Sequence, residues 1–266
     1  MSPYLIETPT IISFSGGRSS GFMLWNILDA YNHKLPDDIK VVFCNTGLEH
    51  KETYNFIDRV SKSWGVEIVW LEYFVDKNNK ASFKIVDFET ASRNGEPFTQ
   101  LIKKKKYLPN PMARICTVNL KIETLNRFVK ENLNWNDWNK AIGLRFEEFK
   151  RVQRMRDKED VLLPMADAQH TKFDVFEFWT GEDIDLKLPV KGNILSNCVG
   201  CYLKSYQSLE DIARNDPVYF NWWIDAEENN GKTFRNDRPK YLKIKDNAQK
   251  QLAFDFGDTI DCFCTD

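Results

Sequence analysis

Short apolar runs and longer segments of helical period alternate through the first third of the chain. Thr10–Phe14 is a β-branched and aromatic run that closes on Ser15-Gly16-Gly17. After it, Phe22, Met23, Trp25, Ile27 and Leu28 recur at helical spacing. Ile39–Cys44 (IKVVFC) is a second run, too short for a helix, and it closes on Asn45-Thr46-Gly47. Tyr54, Ile57, Val60 and Trp64 mark an amphipathic helix that stops at Gly65, and Val66–Leu71 reads as a third strand. Strands separated by helices of this length predict the α/β class: a doubly wound, mostly parallel sheet with helices on both faces.

The middle is less regular. Residues 76 to 112 are polar, with Asn94-Gly95, four lysines at Lys103–Lys106, Pro109 and Pro111, and read as an insertion or lid. The lysine run reads as a solvated face or loop, with a substrate-phosphate patch as the alternative. Helical spacing returns at Leu120, Ile122, Leu125, Phe128 and Val129, followed by a strand at Lys140–Leu144 and a basic helix at Lys150–Arg156. Phe173–Trp179 and Leu209–Ala226 read as two further helices. Trp222-Trp223 in the second is expected to pack in the core rather than stack on bases. The pattern divides the chain into an α/β domain over residues 1–160, with the insertion inside it, and a mainly helical region over 161–266.

Composition narrows the class. The 266 residues are 42% hydrophobic and 14% aromatic, enough for a full core and too apolar for a solvated coil. Lys and Arg total 37 against 39 Asp and Glu, so no chain-wide basic footprint for nucleic acid exists. No apolar run reaches membrane-spanning length and no secretory start is legible, so a cytoplasmic setting is expected. In that reducing compartment six cysteines read as metal ligands or reactive thiols rather than disulfides.

Two loops carry candidate chemistry. Ser13-Phe14-Ser15-Gly16-Gly17-Arg18-Ser19-Ser20 joins the first strand to its helix. Glycines allow close backbone approach, and the helix start offers unpaired N–H groups to an anion. The spacing matches neither a Walker loop nor a dinucleotide fingerprint, and a tight turn with a serine cap is the alternative. Asn45-Thr46-Gly47-Leu48-Glu49 ends the next predicted strand. Neighbouring loops at the carboxyl ends of parallel strands can grip one nucleotide between them. For Glu49 a helix-start charge is the alternative.

The cysteines are spaced unevenly. Cys198 and Cys201 form a C-x-x-C that can present two thiolates to one metal. Cys116 heads a predicted helix, where the dipole and Lys121 are expected to lower its thiol pKa. A cysteine from the terminal Cys262-Phe263-Cys264, with Cys264 favoured, would make four soft ligands, suited to zinc or a [4Fe–4S] cluster. Cys44 reads as a core thiol. His33, His50 and His170 show no metal spacing.

Taken together, SFSGGRSS, CNTGLE, Arg114-Ile-Cys116 with Lys121, Ile142-Gly143-Leu-Arg145 with Glu147, Glu148 and Arg151, and Asn197-Cys198-x-x-Cys201-x-x-Lys204 resemble the PP-loop ATP pyrophosphatase superfamily. Asp174-Val175-x-x-Phe178-Trp179 and Asp185-Leu-x-Leu-Pro189 add to the likeness, which covers roughly residues 10 to 225 and is strongest to the phosphoadenosine phosphosulfate (PAPS) reductase-like branch. The resemblance implies an adenine nucleotide, ATP or PAPS/APS, held at Ser13, Ser15, Gly16, Gly17, Arg18, Ser19 and Ser20 and at Asn45, Thr46, Gly47, Glu49 and Gly143. It implies Arg145, Arg151 and Lys121 as the catalytic set, and a [4Fe–4S] cluster on Cys116, Cys198, Cys201 and Cys264, with zinc as the alternative. Sulfur transfer to an adenylated acceptor is the activity expected, with a sulfur donor or thioredoxin-like reductant as partner and a nucleic-acid or small-molecule acceptor. PAPS or APS reduction by a tail cysteine is a second reading, and a silent nucleotide sensor a third. A homo-oligomer fits any of them. The superfamily loop carries an Asp before its last Ser where Arg18-Ser19-Ser20 stands here, which leaves any Mg²⁺ to substrate oxygens or to another acid.

Overall fold

A computed structural model describes residues 2–189 and 194–250. A six-stranded sheet organises the N-terminal two thirds, in the order β4-β3-β2-β1-β5-β6. β1 (Thr10–Ser13), β2 (Ile39–Asn45), β3 (Ile68–Val75), β5 (Asn139–Ile142) and β6 (Val161–Leu162) run parallel, and β4 (Ala81–Val86) closes one edge antiparallel to β3. α1 (Arg18–Ala30) and α2 (Lys51–Trp64) connect the first three strands. α2 ends at Gly65 in the left-handed conformation (φ 63°), the stop read from the sequence.

Both faces of the central strands are buried, as parallel strands require. Ile12, Phe14, Val41, Phe43, Ile68 and Trp70 pack on one face with α1, α2 and α7 (Lys172–Gly181). Ile11, Val42 and Leu71 face the other way, onto Leu125, Phe128 and Val129. That second cover is one helical stretch from Thr117 to Leu133, α-helical as α4 (Thr124–Phe128) and wider-turned, π-helical, at Thr117–Glu123 and Val129–Leu133.

Two sequence readings change. The polar stretch 76–112 is not an irregular lid: it contains β4 and α3 (Glu96–Lys105), the helix ending in the lysine run. Lys103, Lys105 and Lys106 are exposed there, where cations suit the helix's negative end. The helix expected over Leu209–Ala226 is two, α8 (Tyr206–Asn215) and α9 (Val218–Asn230), because Pro217 cannot continue a helix. α10 (Tyr241–Lys250) then packs against both, in a core where Trp223 is 1% exposed. Between β5 and this core lie α5 (Phe149–Arg156) and α6 (Pro164–Asp167). Among the described residues no helix is long and apolar enough to cross a membrane.

Candidate functional site

β1 lies between β2 and β5, so the chain leaves it first toward one edge and later returns to the other side. Ligands of open parallel sheets bind outside the carboxyl ends of the strands at such a reversal. A cavity of about 230 Å³ opens there, with mainly apolar walls that include Val42, Ile122, Leu125, Ile142 and Leu144. Its polar lining includes Ser13, Ser15, Glu49, Thr117, Lys121, Lys140, Arg151, Lys158 and Asp160.

The first loop is shaped by close packing. Gly16 has φ +73°, and a Cβ there would sit 2.7 Å from Thr53 Cγ2 and 2.8 Å from Ile57 Cδ1. Only glycine fits both the backbone and the space. Ser15 N donates to Ser20 Oγ at 3.2 Å, the two hydroxyls are 3.0 Å apart, and Ser20 Oγ donates to Gly17 O at 2.9 Å. Gly17 caps α1 without a side-chain bond, and the first turn carries no acid. Gly143 lets β5 approach this turn: a Cβ there would lie 3.1 Å from Ser20 Cα.

The second loop is held by a buried network. Asn45 Nδ2 donates to Glu72 Oε1 (2.7 Å) and Ser92 O (2.8 Å), while its Oδ1 accepts from Gly47 N and Tyr54 Oη. Glu49, 4% exposed, accepts from Thr46 N, Thr46 Oγ1, Leu48 N and Tyr54 Oη. Asn45 and Thr46 therefore shape the loop, and Glu49 reaches the cavity wall. Glu72, Ser92 and Tyr54 are supports that the sequence reading did not find. Tyr54 was legible only as an apolar position on a helix, and Ser92 lies 20 residues from its carboxylate partner.

The C-x-x-C docks directly onto this loop. Glu49 and Cys198 form an isolated antiparallel bridge, and Val199 N donates to Leu48 O at 2.9 Å. Cys198 Sγ is thereby 3.3 Å from Thr46 Oγ1. Cys116 Sγ lies 3.4 Å from Tyr202 Oη, and both Cys116 and Cys198 feel the charge of Cys201. All four described cysteines are thiols. Burial pushes the Cys198 and Cys116 thiols up, and the Lys121 cation opposes this only partly. The lowered Cys116 pKa expected from the helix start is thus reversed, because desolvation outweighs the dipole and the lysine. Cys44, whose Sγ donates to Lys121 O at 3.7 Å, is pushed up to about 12 by burial.

The arginines divide. Arg151 lines the cavity and donates to Glu148 Oε1 at 2.5 Å. Arg145 sits at the first turn of α1, donating to Ser19 Oγ (2.8 Å) and Glu147 Oε1 (2.7 Å). Arg18 turns away: its guanidinium pairs with both Asp185 oxygens, at 2.7 and 2.5 Å, so its side chain pins the segment after α7 instead of the cavity.

Thiol donors suit zinc or thiolate-bound iron in kind. Among the described residues, however, no three His, Cys, Asp or Glu side chains are arranged to hold a metal ion. Cys262 and Cys264, the expected source of the fourth ligand, lie outside the described residues.

A family model described as the phosphoadenosine phosphosulfate reductase domain matches residues 9–186. An uncharacterized nin region protein of Escherichia phage lambda is 28% identical over 204 residues, covering 75% of this chain and 67% of that protein. Two uncharacterized proteins of Methanocaldococcus jannaschii are 30% and 23% identical over 152 and 235 residues, covering 57% and 84% of this chain. The chain spans 26% and 47% of the length of these archaeal relatives. Among solved structures, a PAPS reductase from Candida auris in a phosphate complex superposes with a TM-score of 0.42 at 14% identity, covering 70% of this chain and 82% of that one.

Proposed function

The chain belongs to the phosphoadenosine phosphosulfate reductase domain family, and from that premise we propose an enzyme that binds an adenine nucleotide at the β1–β5 reversal and performs sulfur transfer beside it. The observation that carries this reading is the Glu49–Cys198 bridge, which sets a thiol against the loop that walls the cavity.

In this reading the nucleotide phosphates meet the uncapped first turn of α1, whose N–H groups and dipole favour an anion. Arg151 from the cavity wall and Arg145 from the mouth add forked donors to phosphate oxygens. These fixed donors stabilise charge as it develops on phosphorus while an acceptor oxygen is adenylated. Lys121 lines the cavity and acts electrostatically on Cys198 and Cys116. It is the residue suited to offset thiolate charge next to the reacting group. Cys116, Cys198 and Cys201, with Cys264, are the thiols the chain offers to a [4Fe–4S] cluster or zinc, but the three described ones are not arranged to hold an ion, so no step of this reading runs through one. ATP with an adenylated acceptor is the favoured substrate class; PAPS or APS reduced with a thioredoxin-like partner is the second, favoured by the family match itself.

The test combines anaerobic purification, iron, sulfide and zinc counts, and turnover with ATP or PAPS. Pyrophosphate and AMP from ATP with a nucleic-acid or small-molecule acceptor support sulfur transfer, whereas sulfite from PAPS supports reduction. Cys198→Ser is expected to remove turnover and keep nucleotide affinity within about threefold, a shift below ~0.7 kcal/mol. Undiminished turnover by Cys198→Ser, or absence of nucleotide binding, overturns the proposal.

A further inference from the structure

α9 carries two adjacent tryptophans, and each fills the place of a side chain that a glycine lacks. Neighbouring residues of an α-helix point about 100° apart, so one turn can reach two partners. A Cβ on Gly95 would lie 2.4 Å from Trp222 Nε1 and 2.8 Å from its Cδ1. A Cβ on Gly200 would lie 2.3 Å from Trp223 Nε1 and 2.4 Å from its Cδ1. The same edge of an indole therefore occupies both positions. Gly95 also has a left-handed backbone (φ +75°), whereas Gly200, between the two cysteines of the C-x-x-C, does not. At Gly200 the requirement is space, and Trp223 takes it.

The two contacts belong to one closed circuit. Gly95 N donates to Gly47 O at 2.9 Å, and a Cβ on Gly47 would lie 2.8 Å from Gly95 N, so the turn before α3 presses on the second loop. Trp222 Nε1 donates to Thr99 Oγ1 at 2.9 Å, and its ring meets that of Trp223 edge-on at 5.0 Å. Beyond Gly200, Val199 N returns to Leu48 O at 2.9 Å, in the loop where the circuit began. Trp223 also stacks on Tyr241, whose Oη donates to Gly200 O at 2.6 Å. Close-packed side chains leave no slack, so a displacement at one member of such a circuit is passed to the others. We infer that Trp222 and Trp223 are positioning residues of the site: they fix the C-x-x-C against the second loop, although neither lines the cavity. The chemistry that this serves rests on the function proposed above, whereas the coupling itself does not.

The rate at which a maleimide alkylates Cys198 in the folded full chain, without nucleotide, tests it. Peptide mass spectrometry assigns the modified thiol, and circular dichroism confirms that each variant is folded. Gly95→Ala should raise the rate about 10-fold by driving Trp222 off its seat. Trp222→Leu should raise it by a similar factor, because the tie is gone. Combined, the two should fall back to within about threefold of the unaltered chain, since the new methyl takes the place of the removed indole edge. Thr99→Val removes only the acceptor of Trp222 Nε1 and should raise the rate about threefold. Leu24→Ala, at a buried position of α1 in the other core, costs stability yet should leave the rate within about twofold. A rate unmoved by Gly95→Ala overturns the inference, and so do additive effects in the combined variant or an equal rise in Leu24→Ala. Calorimetric titration with ATP keeps the two ideas apart: absence of binding beside the expected alkylation pattern counts against the proposed function and leaves the circuit standing.

Discussion

α1 and α2 both follow glycine-bearing loops at the ends of neighbouring strands, yet their N-termini are finished in opposite ways. At α2, His50 Nδ1 accepts from Glu52 N at 3.1 Å, and Glu52 adds a negative charge to the first turn. That end is already satisfied. At α1, Gly17 offers no side-chain bond and the first turn carries no acid. The same element is closed in one place and left open in the other. The open one faces the reversal of the sheet, where the proposed function places an incoming anion, while the closed one gives rigidity.

The contrast can be broken from either side. The largest effect is expected on the closed side, where Glu49 accepts four hydrogen bonds in a buried setting. Glu49→Ala leaves those donors unpaired and should cost about 3–4 kcal/mol in urea unfolding, more than any single exposed bond could. On the open side, Gly16→Ala meets Thr53 and Ile57 with φ at +73°. It should cost about 2 kcal/mol and lower nucleotide affinity at least 10-fold, measured by calorimetric titration. Gly17→Ala, with its nearest neighbour at 3.5 Å, should change stability by less than about 0.5 kcal/mol.

A third measurement sharpens the picture of the thiols behind the closed loop. An unfolded thiol ionises from about pH 8.5 upward, whereas folded Cys44 keeps its proton to about 12. The folded state therefore binds more protons in that window. The stability from this thiol is complete below pH 8.5 and is lost as pH rises, by about 1–2 kcal/mol at pH 10. Urea unfolding at pH 7 and pH 10 should show the loss, and Cys44→Ala should remove its share of it. A small effect is also expected at Arg18. Its pair with Asp185 is partly exposed, 45% and 24% at the two side chains. Arg18→Ala should cost less than about 1 kcal/mol and leave nucleotide affinity nearly unchanged, unlike Arg151→Ala.

Strands β1, β2 and β3 were legible because their β-branched runs are short, and each closes on a turn signal or a glycine. β4 was not, because it is a half-exposed edge strand whose alternation is blurred. α3 was hidden by Pro97 at its start and by the lysines at its end, which read as loop and charge run. In the candidate site, the loops and Arg151 could be read locally. The diversion of Arg18 could not, because its partner lies 167 residues away. Nor could the raised thiol pKa values, since burial is a property of the packed molecule.

The bridge from Cys198 to the loop after β2 joins residues 152 positions apart, counted from Thr46 to Cys198. During synthesis the loop leaves the ribosome long before the segment that backs it. At the usual pace of roughly 5–20 residues per second, the wait is about 8–30 s. The loop is thus completed late, and the nascent chain passes through an interval in which its sheet has formed but Leu48 still presents an unanswered carbonyl.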